Sequence, residues 1–265
     1  MAKTVHSEND SSICEHVFVL GVKFSCSTFS GILESVSGTI AKREKRYISI
    51  TNTESLYCAT RNRFHRHYIN NSMFSCCDGI GVALASRLLG NRIPRLHGPD
   101  LMLECCQYGI GKKWRHFFYG GREGVPQLLS GHLEKRFPGL ITAGTYSPPF
   151  RDLTQEEDRE IVARINESEP DIVWVGLGLL KQEKWIADHI DRLRAPLLVG
   201  VGAAFDFHAG TIKRAPHVFR KAGLEWLYRL AFEPRMWVRN VRSLVMVLDI
   251  VRKALAITLR GGSND

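Results

Sequence analysis

Five times along the chain a short apolar run gives way, through a glycine or a polar turn, to helix-like sequence. The runs are RYISITNTESL (46–56), FSCCDGIGVALASRLLG (74–90), HFFYGGREGV (116–125), DIVWVGLGLL (171–180) and PLLVGVGAAF (196–205). The third leads into QLLSGHLEKRF and the fourth into KQEKWIADHIDRLR. Apolar runs that alternate with helical stretches are read as parallel strands, because each parallel pair needs a crossover and the helices cover the sheet. The predicted fold class is therefore α/β, a Rossmann-like, largely parallel sheet with flanking helices. Ligands of such sheets bind beyond the carboxyl ends of the strands, where these glycines fall.

One helix start is marked locally. Thr154 followed by Glu157 has the spacing of a capping box, with Ile161, Val162 and Ile165 on one face behind it. Asn166 to Pro170 is the expected stop.

Composition matters mainly through where the charge lies. The 265 residues carry 36 Lys plus Arg against 27 Asp plus Glu, a net charge of +9. Residues 211–265 hold eleven basic and four acidic residues, so most of the excess is C-terminal. The expected organisation is a mobile N-terminal tail (1–15), an α/β body (16–210) and a basic amphipathic C-terminal appendage (211–265). A polyanionic partner is implied: nucleic acid, an anionic membrane or a phosphorylated substrate. Nucleic acid is disfavoured, because the basic segment is interleaved with long apolar stretches and no binding motif occurs.

The N-terminus, MAKTVHSENDSSICEH, lacks the apolar core of a secretory signal. Seven cysteines, with two adjacent pairs and no CxxC, fit neither a disulfide framework nor a zinc site. They are expected to be reduced, small apolar residues. The glycine pairs at Gly79/Gly81, Gly176/Gly178 and Gly200/Gly202 do not complete GxGxxG, so a dinucleotide fingerprint is not supported. Strand-to-helix turns suffice for each pair alone; together at one sheet edge they suit a phosphate-bearing ligand.

The ordered set of motifs resembles the WecG/TagA/CpsF family of bacterial glycosyltransferases (glycosyltransferase family 26). The elements are DGIGV at Asp78, R-x-x-G-P-D-L from Arg95 to Leu101, FYGG (118–121), INESEPDIVWVGLG (165–178), KQE (181–183), VGAAFDFHAGTIKRAP (201–216) and LEWLYRLAFEPRMWVRN (224–240). The resemblance implies transfer of a sugar (N-acetylmannosamine, its uronic acid or glucose) from a UDP-sugar to a polyprenyl-diphosphate-linked saccharide, with inversion. It places the chain in cell-surface polysaccharide synthesis. Asp78 matches the family's general base, which would take the acceptor hydroxyl proton.

The departing diphosphate needs positive charge. The sequence contains no DxD metal-binding pair, and arginine forks bind phosphate oxygens two at a time. No metal or other cofactor is expected. By resemblance Arg229, Arg235 and Arg239 lie near the diphosphate, with Arg95 and Arg214 as further candidates. Asn52 and Gln182 match substrate-site residues. The family usually has Thr where this chain has Ile50, and Thr51 is the candidate to replace that hydroxyl. It often has Pro where this chain has Leu180. Asp206 is left between binding substrate and organising its own loop. His208 is read as structural, and Trp185 and Trp226 as packing residues.

From Trp237 to Leu255 apolar residues fall at helical spacing, flanked by Arg239, Arg242, Arg252 and Lys253. This suits either a helix in an anionic membrane interface or one packed on the domain or a second copy. The resemblance favours the membrane. The expected place is cytoplasmic, peripheral to the inner face of the plasma membrane, and a homo-oligomer stays open. An NAD-dependent oxidoreductase is disfavoured by the missing glycine fingerprint. A non-catalytic paralogue is suggested by Ile50 and Leu180 and opposed by the presence of Asp78 and the arginines.

Overall fold

The computed structural model describes residues 16–213, 216, 245–253 and 255–256. A hairpin of β1 (His16–Val19) and β2 (Val22–Ser25) leads into α1 (Phe29–Lys42). Then follow β3 (Arg46–Thr51), α2 (Thr53–Ala59), α3 (Arg63–Asn71), β4 (Phe74–Cys77), α4 (Ile80–Leu88) and α5 (Gly98–Gly109). After a 3-10 turn come β5 (Arg115–Gly120), α6 (Val125–Arg136), β6 (Ile141–Tyr146) and α7 (Gln155–Glu167). The body closes with β7 (Ile172–Gly176), α8 (Lys181–His189), β8 (Leu197–Gly200) and α9 (Ala204–His208). Residues 245–253 are also helical.

Six strands form one parallel sheet in the order β4-β3-β8-β7-β5-β6. The expected α/β class and parallel sheet are borne out. All five apolar runs became strands, each followed by a helix. The capping box also formed: Thr154 Oγ1 accepts from Glu157 N–H, and the Glu157 carboxylate accepts from Thr154 N–H.

Strand alternation splits the core in two. Ile172 and Trp174 point to one face with Phe118 and Val199, while Val173 and Val175 point to the other with Phe117 and Leu198. The first face is covered by α1, α5, α6 and α9, and the second by α2, α4, α7 and α8. Across the sheet centre β3, β8, β7 and β5 therefore send their following helices to alternate faces. Neighbouring loops part at each carboxyl end and a crevice opens there. Close packing at this edge depends on Gly120, which has φ 122°; a Cβ there would meet the Gly176 backbone at 2.6 Å.

The six described cysteines form no disulfide with one another, and Cys76, Cys77, Cys105 and Cys106 are buried. Burial pushes the Cys77 thiol up to about 12, as befits a core residue. Among the described residues no helix is long and apolar enough to cross a membrane. Most of the expected basic appendage, and the tail at 1–15, lie outside the described residues. Of the C-terminal helix, Met246 and Ile250 are buried against the domain while Val245 and Leu248 are exposed.

Candidate active site

A cleft of about 1370 Å³ lies along the carboxyl edge of the sheet. Each wall is a strand-to-helix turn. Asn52 ends β3 and caps α2, its Oδ1 accepting from Ser55 N–H at 2.9 Å. Asp78 follows β4, and its N–H extends the pairing with β3 by donating to Thr51 O at 3.0 Å. The chain then returns to the same edge: Arg95 forms a parallel bridge with Cys77, and Leu96 N–H donates to Cys77 O at 2.9 Å. That return sets His97, immediately before α5, beside Asp78 although they are 19 residues apart in sequence.

The His97 Nδ1 to Asp78 Oδ1 distance is 2.5 Å. An ionised carboxylate only accepts, so Nδ1 carries the proton. The hydrogen bond to Asp78 raises the His97 pKa above its ordinary 6.5; burial opposes the rise, the charges of Asp78 and Asp100 reinforce it, and Arg95 opposes it. Both side chains keep partial access to the cleft, at 28% for Asp78 and 18% for His97. The pair can hold and release a proton where a ligand would sit.

The opposite wall is built differently. Gln182 is buried, and its Oε1 accepts from Gly202 N–H at 3.0 Å, tying α8 to the turn after β8. Its neighbour Glu183 is also buried, and burial pushes its carboxyl up to about 7, against hydrogen bonds from the Glu183 and Leu180 backbone. Leu180 itself has φ 68° and ψ −39°, a sparsely populated conformation for a residue with a side chain. Below it Tyr119, Trp185 and His189 stack, with successive centroid distances of 4.3 Å.

The family model for the glycosyl transferase WecG/TagA/CpsF family matches residues 17–260. The chain belongs to this family. Its curated relatives in Staphylococcus aureus strains COL and MRSA252 are each 30% identical over 243 residues, spanning 90% of this chain and 92% of theirs. Both bear the name N-acetylglucosaminyldiphosphoundecaprenol N-acetyl-beta-D-mannosaminyltransferase. The chain is thus a glycosyltransferase, and its cleft is the candidate active site.

In this glycosyltransferase Asn52, Asp78, Arg95, Gln182 and Asp206 all line the one cleft. Thr51 does not line it: the side chain is fully buried, and Oγ1 is 3.1 Å from Ser49 Oγ and 3.0 Å from Ser75 Oγ. Ile50 does reach the cleft and packs on Gly98. Asp206 has contacts within its own loop. It lines the cleft, yet its Oδ1 accepts from Thr211 Oγ1 at 2.8 Å and stands 3.5 Å from the Arg122 guanidinium. Arg214, Arg229, Arg235, Arg239 and Trp226 lie outside the described residues.

His208 is structural as expected, its Nε2 being 2.9 Å from Pro99 O across α9 and α5. Trp185 is buried in its stack and also lines the cleft. Among the cleft residues that escaped the sequence reading are His97 and Arg122. His97 occupies an unspecified position of R-x-x-G-P-D-L, and Arg122 follows FYGG. Only the proximity of each to a strand end signalled it. Val247 of the C-terminal helix also lines the cleft, close over Gly81.

Proposed function

We propose that this glycosyltransferase moves an N-acetylmannosamine-type sugar from a UDP-sugar to N-acetylglucosaminyl-diphosphoundecaprenol, with inversion and without a metal. The observation that carries the reading is a partly exposed carboxylate, Asp78, at the carboxyl edge of a parallel sheet in a family member whose relatives bear that activity as their name. In a single displacement Asp78 takes the acceptor hydroxyl proton. The acceptor oxygen forms its bond to the anomeric carbon as the bond to UDP breaks, and UDP departs. Arg95 and Arg122 line the cleft and supply guanidinium charge for the diphosphate, with Arg214, Arg229, Arg235 and Arg239 as further donors of charge. The acceptor's lipid brings the protein to an anionic membrane, and Val245 and Leu248 give the C-terminal helix an exposed apolar side for that contact. Peripheral attachment at the cytoplasmic face follows from this reading.

The test is UDP release over a panel of UDP-sugars, N-acetylmannosamine, its uronic acid and glucose included, with the lipid-diphosphate acceptor. Acceptor-dependent release with UDP-N-acetylmannosamine, unchanged by chelator, is expected. Preference for another donor sugar changes the substrate. Activity lost in chelator and restored by magnesium ends the metal-free proposal. No acceptor-dependent release from any donor defeats the activity.

A further inference from the structure

We propose that His97 is the positioning residue for Asp78: its Nδ1–H donates to Asp78 Oδ1 and turns the carboxylate so that its second oxygen is left for the acceptor hydroxyl. The inference rests on Asp78 as base and makes that base half of a pair.

The geometry that carries it comes from the backbone. The Cys77–Arg95 bridge and the Leu96-to-Cys77 hydrogen bond fix where residue 97 emerges. His97 is extended, with φ −79° and ψ 137°, and its ring makes no hydrogen bond to the start of α5. The imidazole is thus not used to cap the helix it precedes, and its contact is with the carboxylate in the cleft. A carboxylate that rotated freely would spend part of its time with neither oxygen toward the acceptor; a donor at 2.5 Å restricts it.

The charged groups facing His97 are Asp78 from the β4 end, Asp100 in its own helix and Arg95 in the returning segment. Their balance keeps the imidazolium to a higher pH than an ordinary histidine. Proton uptake by Asp78 is opposed by a full positive charge beside it and much less by a neutral ring that only donates a hydrogen bond. Turnover should therefore rise with pH as His97 loses its charge, with a midpoint above 6.5 that belongs to the pair. The neutral Nδ1–H form still holds the carboxylate in place.

The experiment measures kcat and KM for wild type, His97→Ala and His97→Asn from about pH 5.5 to 9, with the UDP-sugar turned over fastest and the lipid-diphosphate acceptor. Asn can place an amide N–H near the position of Nδ1 and carries no titratable proton. His97→Ala is expected to lower kcat by about 10- to 100-fold with donor KM little changed. His97→Asn is expected to recover most of that loss, and both variants should lack the limb above 6.5. Wild-type kcat in His97→Ala, or an unchanged limb in His97→Asn, overturns the proposal. Should His97→Ala lose its far-UV circular dichroism, the pH profile of His97→Asn alone decides. Asp78→Asn in the same series separates the two readings. If that variant is active, the base is wrong; if it is inactive while the His97 variants behave as wild type, only the positioning role falls.

Discussion

The two walls of the cleft use their polar side chains in opposite ways. On the β3–β4 side, Asp78 and His97 bond to each other and remain partly open to the cleft. On the β7–β8 side, Gln182 is buried and its Oε1 accepts from Gly202 N–H, while the buried Glu183 behind it accepts from Gln182 Nε2 at 3.4 Å. One wall keeps its paired carboxylate and imidazole open to a ligand. The other spends its amide on tying α8 to the turn after β8. Lining a cleft is therefore a poor guide to role; what the side-chain atoms already bond to is a better one.

The largest expected contrast comes from Asp78→Asn. It should lower kcat by about 100- to 10,000-fold while the urea midpoint stays near wild type. An equal loss of stability would erase the distinction between the walls. Glu183→Gln comes next and should act on stability. With the folded carboxyl near 7 and an ordinary value of 4.5, the folded state keeps a proton that the unfolded chain has released between those values. Wild-type stability from this residue is thus lost as pH rises from 4.5 to 7, by up to about 3 kcal/mol, and is flat above. Glu183→Gln should match wild type near pH 4 and exceed it near pH 8 in urea unfolding, and the reverse order would refute the sign.

Gln182→Ala is expected to cost about 1–3 kcal/mol, because it leaves the Gly202 N–H without its partner. Its donor KM should rise more than its kcat falls. The smallest effect is expected from Arg61→Ala, which removes an exposed ion pair to Asp249 on the C-terminal helix. About 0.2–1 kcal/mol of stability should be lost, less at high salt, in thermal unfolding at two ionic strengths.

Sequence was a good guide wherever a signal was local. The strand-and-helix order was legible because buried parallel strands are short apolar runs, and the α7 capping box because its partners are three residues apart. The sixth strand of the sheet, β6, was not. Ile141–Tyr146 is half-buried along its whole length and pairs only with β5, so it carries neither a continuous apolar run nor a clean alternation. The β1–β2 hairpin was missed as well. Within the site, the family resemblance pointed to Asn52, Asp78 and Gln182, and all three line the cleft. The inward turn of Thr51 was not legible, because it depends on which strand brings Ser75 alongside. Nor was the Asp78–His97 pair, since bringing two residues together across 19 positions is the work of the Cys77–Arg95 bridge.

The backbone at Leu180 bears on how this loop can change over time. Proline fixes φ near −65° and has no N–H, whereas Leu180 stands at 68°. A loop with proline here is a different backbone path, and the two forms are not joined by a single tolerated substitution. Leu180 and the turn around it, closed by Gln182 N–H donating to Gly178 O and Lys184 N–H donating to Leu180 O, form one heritable unit. An exchange of this loop between relatives should carry residues 176–183 together, since point-by-point exchange would pass through loops that satisfy neither path.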